Sequence, residues 1–478
     1  MSSDARVLPT LNADGTRVRV RPRVVRGRFF DRRRIVAYGL LVAFLALPWI
    51  HINGRPAMMM DLGTREFALF GAIFRPTDTL SLLFFGLSLA FGIVLITTLW
   101  GRLWCGWACP QTVWLEWVFR PIERLIEGNP SQQRAIDAQP GISGRRLLKH
   151  AIFVGLAFVV ANTFLMYFVG TERITHWVTQ SPSNHPVGFG VVVVVTGLMF
   201  FDFAYFREQT CTFACPYGRM QSVMLDRQSL IVAYDPKRGE PRGKPAKKSL
   251  PVIEDKRGDC VDCGACVQVC PTGIDIRKGL QMECIGCAQC VDACDGVMTK
   301  LERPIGLIRY TSGAELAGEP RKLFRARTMI YPALFAVAFT GLMVTLGARQ
   351  NADAWLERTS NPYEMLSDGE VSSPVQLRVE NRTDGPRVYT LTYQDAAGVK
   401  PMGLQPTYKL AAHQARQIAF VVLSPRGSFS EGKRHAALHV ADDDGWSVTL
   451  PVLVLGPQHD DHDDHERGHD GAHEGEHR

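Results

Sequence analysis

Cys260-Val-Asp-Cys263-Gly-Ala-Cys266-Val-Gln-Val-Cys270-Pro271 and Cys284-Ile-Gly-Cys287-Ala-Gln-Cys290-Val-Asp-Ala-Cys294-Asp295 decide how this chain is read. Together they write the C-x2-C-x2-C-x3-C run of a bacterial ferredoxin twice. In that run three closely spaced thiolates take three corners of one cubane iron–sulfur cluster, and the fourth cysteine, carried off by the following turn, reaches the other. The pattern predicts two [4Fe-4S] clusters in an α+β ferredoxin domain at about 250–300. Cys260, Cys263, Cys266 and Cys294 would hold one, and Cys284, Cys287, Cys290 and Cys270 the second. Gly264 and Gly286 suit a backbone that must turn tightly beside sulfur. Zinc also binds C-x2-C pairs, but it does not account for two complete tandem quartets. One departure stands out: Asp295 occupies the place where the second run would carry proline.

Outward from this core, the 478 residues have a net charge of +7 and segregate their apolar side chains. Five nearly uncharged stretches, 35–52, 79–99, 151–169, 187–206 and 328–346, approach the roughly 20 residues a helix needs to cross a bilayer. A purely soluble protein is excluded. The polar arm 1–34 is too long for a signal-peptide n-region, and no small-residue cleavage site follows, so the first stretch is expected to remain as an anchor. Lys and Arg number ten in 1–34, three in 51–78, seven in 100–150, one in 170–186 and twenty in 207–327. Positive residues gather on the cytoplasmic side. Five crossings are therefore expected in a bacterial inner membrane, with the N-terminus and 207–327 in the cytoplasm and the C-terminal segment in the periplasm. The arginine-rich arm is expected to meet anionic headgroups rather than nucleic acid. All twelve cysteines fall in segments placed inside, where thiols stay reduced and serve metals or redox chemistry rather than disulfides.

A second repeat lies at the inner ends of the second and fourth stretches: Trp104-Cys105-Gly-Trp-Ala-Cys109-Pro110 and Thr210-Cys211-Thr-Phe-Ala-Cys215-Pro216. Proline favours the first position of a helix, so Cys109 and Cys215 should be N-caps, where the positive helix end shifts a thiol toward thiolate. Cys105, Cys109, Cys211 and Cys215 are the candidate catalytic or metal site. Four thiolates there could bind a soft ion such as Cu(I), form redox dithiol pairs or ligate a further cluster.

These phrases, with Gly101-Arg-Leu-Trp-Cys-Gly-Trp-Ala-Cys-Pro-Gln-Thr-Val-Trp114, Cys215-Pro-Tyr-Gly-Arg-Met-Gln-Ser-Val-Met224, Gly258-Asp-Cys-Val-Asp-Cys263 and Cys270-Pro-Thr-Gly-Ile-Asp-Ile-Arg277, resemble the FixG/RdxA/CcoG family of membrane polyferredoxins. The resemblance runs from about Arg21 through the C-terminal domain. It implies a role in assembling a cbb3-type cytochrome c oxidase with other assembly factors, by reducing Cu(II) to Cu(I) with electrons from a cytoplasmic donor. The residues alone also allow a membrane quinol dehydrogenase subunit, or a scaffold that hands copper over without changing its valence.

Residues 347–456 read differently. Short β-branched or alternating runs at 375–379, 389–393, 417–423, 436–440 and 446–454 predict a cysteine-free β-sandwich of immunoglobulin type. The expected fold class is thus multi-domain: a five-span helical bundle, an inserted 2[4Fe-4S] ferredoxin domain and a C-terminal immunoglobulin-like sandwich. The tail 457–478 holds His459, His462, His465, His469, His473 and His477 among acids and glycines. It is expected to be disordered, with donors suited to Cu(II) or Zn(II). Met58, Met59 and Met60 are expected to pack at the interface. Asp202, costly in lipid, is expected to face the bundle, its partner not readable from sequence.

Overall fold

Pro48 limits how far the first apolar stretch stays helical, because proline removes a backbone donor and clashes with the preceding turn. In the computed structural model α1 runs Arg28–Ala46 and gives way to a tight turn at Leu47–Trp49 and a strand at His51–Ile52. The structure describes residues 6–457 apart from 53–54, 63–65, 71, 75–77, 142, 244–256, 323, 349, 358–360, 362, 368, 384, 396–398 and 400. The histidine-rich tail lies outside the described residues.

Four helices are long and apolar enough to cross a membrane: α2 (Thr79–Trp100), α3 (Gly144–Val169), α4 (Pro186–Phe206) and α5 (Ala326–Gly347). The first expected span is not among them. Its helix begins seven residues earlier than 35, takes in Arg28, Asp31, Arg32, Arg33 and Arg34, and leaves a shorter apolar run. Leu83, Leu89, Val194, Leu198 and Val337 face outward from the other helices, as they should where the surroundings are hydrocarbon.

The chain divides into two units, Met1–Leu346 and Gly347–Arg478. In the first, a helical segment that continues from Pro110 through Glu127 wedges between α1, α3 and α4. Its Phe119 stacks on Phe203 at 4.4 Å between ring centroids and meets Phe153 edge-on at 4.9 Å. Phe119 is 1% exposed, and each such buried ring contributes roughly 1.5–3 kcal/mol. The ferredoxin residues form two helices, Ala265–Gln268 and Gln289–Lys300, closed by antiparallel strands Ile231–Tyr234 and Ile308–Thr311. That strand pair lies outside 250–300. Val232, Ile274, Ile276, Val291, Met298 and Leu307 fill the core around the cysteines.

In the second unit, β1 (Ala352–Glu357), β2 (Glu370–Asn381), β3 (Arg387–Gln394), β4 (Thr407–Leu410), β5 (Ala415–Pro425), β6 (Lys433–Asp442) and β7 (Ser447–Leu455) form two antiparallel sheets. One has the order β1-β2-β5 with a short edge strand at Pro401–Met402, and the other β4-β3-β6-β7. Alternate residues point inward, as the two-residue period of a strand requires: Val371, Val375, Leu377 and Val379 on β2 share a core with Leu438 and Val440 on β6.

Candidate redox site

Each cysteine loop passes twice through left-handed backbone, at Asp262 (φ 51°) and Gly264 (φ 68°) in the first and at Gly286 (φ 66°) and Ala288 (φ 58°) in the second. Glycine occupies one of the two places in each loop. In the first loop Asp262 takes the other, paired with Arg277, which also pairs with Asp275 at 2.8 Å. Beneath these loops lie two cavities. Cys260, Cys263, Cys266 and Cys294 line one. Cys270, Cys284, Cys287 and Cys290 line the other, joined there by Cys266. The fold therefore gathers the cysteines in the crossed quartets expected from their spacing, and a four-thiolate cavity fits a cubane. Burial raises Cys284 and Cys294 to about 12, and neighbouring cysteines add to the rise. Metal binding must reverse this by taking up thiolate.

The second repeat folds as two capped turns. Cys109 and Cys215 are extended N-caps of the helices that start at Pro110 and Pro216. Backbone N–H groups of Gln111 and Thr112 point at the Cys109 sulfur, yet burial outweighs them and the Cys109 thiol stands above its ordinary value. Burial likewise takes Cys105 and Cys211 up to about 12. At Cys109 this corrects the expectation that the helix end would favour thiolate: dehydration outweighs the backbone donors. The four cysteines lie close enough to act on one another electrostatically. Among the described residues no three His, Cys, Asp or Glu side chains are gathered as a single-ion site. The same is true of the ferredoxin quartets, because a cubane holds its thiolates farther apart than one ion does.

What sequence spacing does not reveal is how the first turn meets the second ferredoxin loop. A Cβ on Gly106 would lie 2.6 Å from the Ile285 carbonyl oxygen and 2.8 Å from Cys287 Cα, so only glycine allows the two backbones to touch. The Trp107 indole N–H donates to Tyr310 at 3.1 Å, and the Tyr310 hydroxyl donates to the Gly286 carbonyl at 2.6 Å. Arg102 donates to the Cys284 carbonyl at 3.2 Å, and the Cys105 thiol to Gln221 at 3.2 Å. Asp202 accepts from Gln111 at 3.2 Å and from Thr210, which places its partners beside Cys109 and Cys211.

Next to the site runs a buried ionic network that the sequence reading missed. Arg120, 2% exposed, pairs with Glu116, with Glu208 at 3.1 Å, and donates to the Pro271 carbonyl at 3.1 Å. Glu123 pairs with Arg207 at 2.9 Å and Lys149 at 3.4 Å. Burial alone would raise Glu123, but Arg207, its hydrogen bonds and Lys149 pull it down to about 2. Its contribution to stability is therefore complete above the ordinary value of 4.5 and drains away as pH falls toward about 2. The signal was available: Glu116 and Arg120, like Glu123 and Glu127, stand four apart on one helix face.

One-electron transfer through iron–sulfur clusters at a membrane is the class of chemistry this combination serves. Family models agree. A 4Fe-4S dicluster domain matches residues 206–313, a 4Fe-4S binding domain 82–129, and an IG-like fold at the C-terminus of FixG 342–457. Protein RdxA of Cereibacter sphaeroides is 34% identical over 430 residues, spanning 85% of this chain and 89% of its own. Nitrogen fixation protein FixG of Rhizobium meliloti is 32% identical over 476 residues, spanning 89% and 90%. Protein RdxB of Cereibacter sphaeroides is 36% identical, spanning 79% and 82%. With such identity over nearly its whole length, the chain belongs to the FixG/RdxA family. It is a membrane iron–sulfur electron-transfer protein.

Proposed function

We propose that this protein carries single electrons from a cytoplasmic donor through its two ferredoxin quartets to Cys105, Cys109, Cys211 and Cys215. There they reduce Cu(II) to Cu(I) for assembly of a cbb3-type cytochrome c oxidase. Cys260, Cys263, Cys266 and Cys294 hold one [4Fe-4S] cluster and Cys270, Cys284, Cys287 and Cys290 the other; bound there, the clusters supply one-electron transfer. The observation that carries the reading is the backbone contact of Gly106 with Ile285 and Cys287, which sets the membrane cysteines against the second quartet. Thiolates suit Cu(I), the softer ion, and so favour the reduced product. Copper itself comes from the family resemblance.

A second reading is favoured by the 4Fe-4S binding domain matched over 82–129, a stretch that contains Cys105 and Cys109. In it the four membrane cysteines hold a third cluster and pass electrons on. One preparation separates the two. The protein, purified anaerobically, is reduced with dithionite, freed of excess and given Cu(II) with a Cu(I)-specific chelator, then in parallel a short-chain quinone. The copper reading expects eight irons per chain, and Cu(I) formation that falls at least tenfold, about 1.4 kcal/mol, on Cys→Ser at Cys105, Cys109, Cys211 or Cys215, with iron unchanged. Twelve irons, falling to eight in those variants, establishes the third cluster. An unaltered copper rate in all four variants retires the copper site, and preference for quinone assigns the protein to quinol chemistry.

The setting is a bacterial inner membrane with five crossings, α1 included. Ile35, Val36, Leu40, Val42 and Leu45 project from α1 as exposed apolar side chains, the surface that lipid would cover. Alkaline phosphatase fused after Gly456 should then be active and fused after Tyr310 inactive. Activity at both points, or only at Tyr310, overturns the orientation.

A further inference from the structure

Arg33 is a buried cation without a buried anion. It is 1% exposed. Its Nε donates to the Gly106 carbonyl at 2.8 Å, and its Nη1 reaches the Gln289 side-chain oxygen at 2.9 Å in the amide orientation that satisfies both groups. Its Nη2 is buried with no hydrogen-bond partner. Among the described residues no carboxylate pairs with it. The Trp117 ring, 5.8 Å from the guanidinium, is its one aromatic contact among those residues. A guanidinium does not deprotonate, and burying one unpaired is costly, so an anion has to face it. Gly106, whose carbonyl it holds, packs against the Cys287 backbone, and Gln289 adjoins Cys290, so the thiolates of that quartet are the anions at hand.

Arg102 repeats the pattern. It donates to the backbone carbonyls of Met282, Cys284 and Gly218, its Nε is buried without a partner, and its charge acts on both Cys284 and Cys105. It too has no carboxylate among the described residues. Two guanidiniums thus converge on the quartet Cys270, Cys284, Cys287 and Cys290, and the second stands between that quartet and the membrane cysteines.

The other quartet has the opposite surroundings. Asp295, the residue that departs from the ferredoxin motif, follows Cys294 directly. Its carboxylate accepts from Gly306 N–H at 2.9 Å and lies 3.7 Å from the exposed Arg28. Near Cys266 the one guanidinium, Arg277, is paired with two carboxylates, Asp275 and Asp262. Four thiolates and a cubane are net anionic, and adding an electron is easier beside cations than beside carboxylates; nearby charge and hydrogen bonding set cluster potentials.

We propose that Arg33 and Arg102 are the counter-charges of the centre held by Cys270, Cys284, Cys287 and Cys290, and that they set its reduction potential above that of the centre beside Asp295. Electrons entering at the first quartet then run downhill toward the membrane. The inference rests on the iron–sulfur reading of the quartets and is independent of copper.

The test is a mediated redox titration of the full-length protein, followed by electron paramagnetic resonance and visible absorbance. The wild type should titrate in two waves. Arg33→Gln should lower the upper wave by about tenfold in its reduction equilibrium, 59 mV for one electron, and leave the lower wave in place. Arg33→Lys, which keeps the charge, should restore most of the shift. Asp295→Asn should raise the lower wave, so that the two variants narrow the gap from opposite sides. A single wave in the wild type, Arg33→Gln moving the lower wave or neither, or Arg33→Lys shifting as far as Arg33→Gln would each overturn the proposal. If Arg33→Gln fails to retain iron, Arg102→Gln is read by the same criteria.

Discussion

On the proposed copper chemistry, Gly106→Val should slow Cu(I) formation by about a hundredfold while the ferredoxin cysteines keep their iron. The new Cβ would stand 2.6 Å from the Ile285 carbonyl oxygen and 2.8 Å from both the Cys287 nitrogen and Cα. All three are backbone atoms of the loop that positions Cys284 and Cys287, so no side-chain rotation relieves the clash. The two loops must separate by roughly an ångström, a displacement able to cost two orders of magnitude where reacting groups are held in register. None of the eight ferredoxin cysteines is altered, so the visible spectrum and its bleaching by dithionite should match the wild type. Only the step out of the second quartet should suffer. Gly218→Ala is the control, because its Cβ would meet the Cys211 carbonyl oxygen at an ordinary 3.4 Å. It should leave the rate within about twofold. If Gly106→Val also leaves it unchanged, the Gly106 contact is not the electron path.

The twelve cysteines were legible because their information is local: each ferredoxin loop is complete within eleven residues, and Pro110 and Pro216 announce the N-caps beside them. The sheets of the C-terminal domain were legible for the same reason, since a two-residue alternation marks a buried strand face without reference to its partner. The contacts that make a path of these parts were not. Arg33 meets Gly106 across 73 positions, and Arg102 meets Cys284 across 182. No periodicity carries such pairings. Charge counting averages over the arm and does not show which of its arginines have partners within the chain. Arg33 is buried, Arg17 reaches Glu208 at 3.2 Å, and Arg21 pairs with Asp137. The first span was misplaced through the same averaging: a hydropathy window joined residues on both sides of Pro48, although the helix ends at Ala46.

Arg120→Met should be the most destabilising single change around the ferredoxin quartets, at about 3–5 kcal/mol. The guanidinium is 2% exposed and serves three acceptors: Glu116, Glu208 and the Pro271 carbonyl, the residue next to Cys270. Methionine fills much of the same volume, so the loss would come from charge rather than from a cavity. Glu208 would keep Arg17 at 3.2 Å and Arg207 at 3.8 Å. Glu116, 7% exposed, would keep no cation among the described residues. The cost should therefore concentrate on Glu116, and a second change tests this. Glu116→Gln added to Arg120→Met should recover at least about 1 kcal/mol, since removing both members of a buried pair is far cheaper than removing one. On heating in detergent, the temperature at which cluster absorbance is lost should fall on the order of 10 °C in the single variant and by clearly less in the double. Equal losses in the two would mean that Arg120 acts through Glu208 and the Pro271 carbonyl, holding the Cys270 turn in place, and that its ion pair with Glu116 contributes nothing to stability.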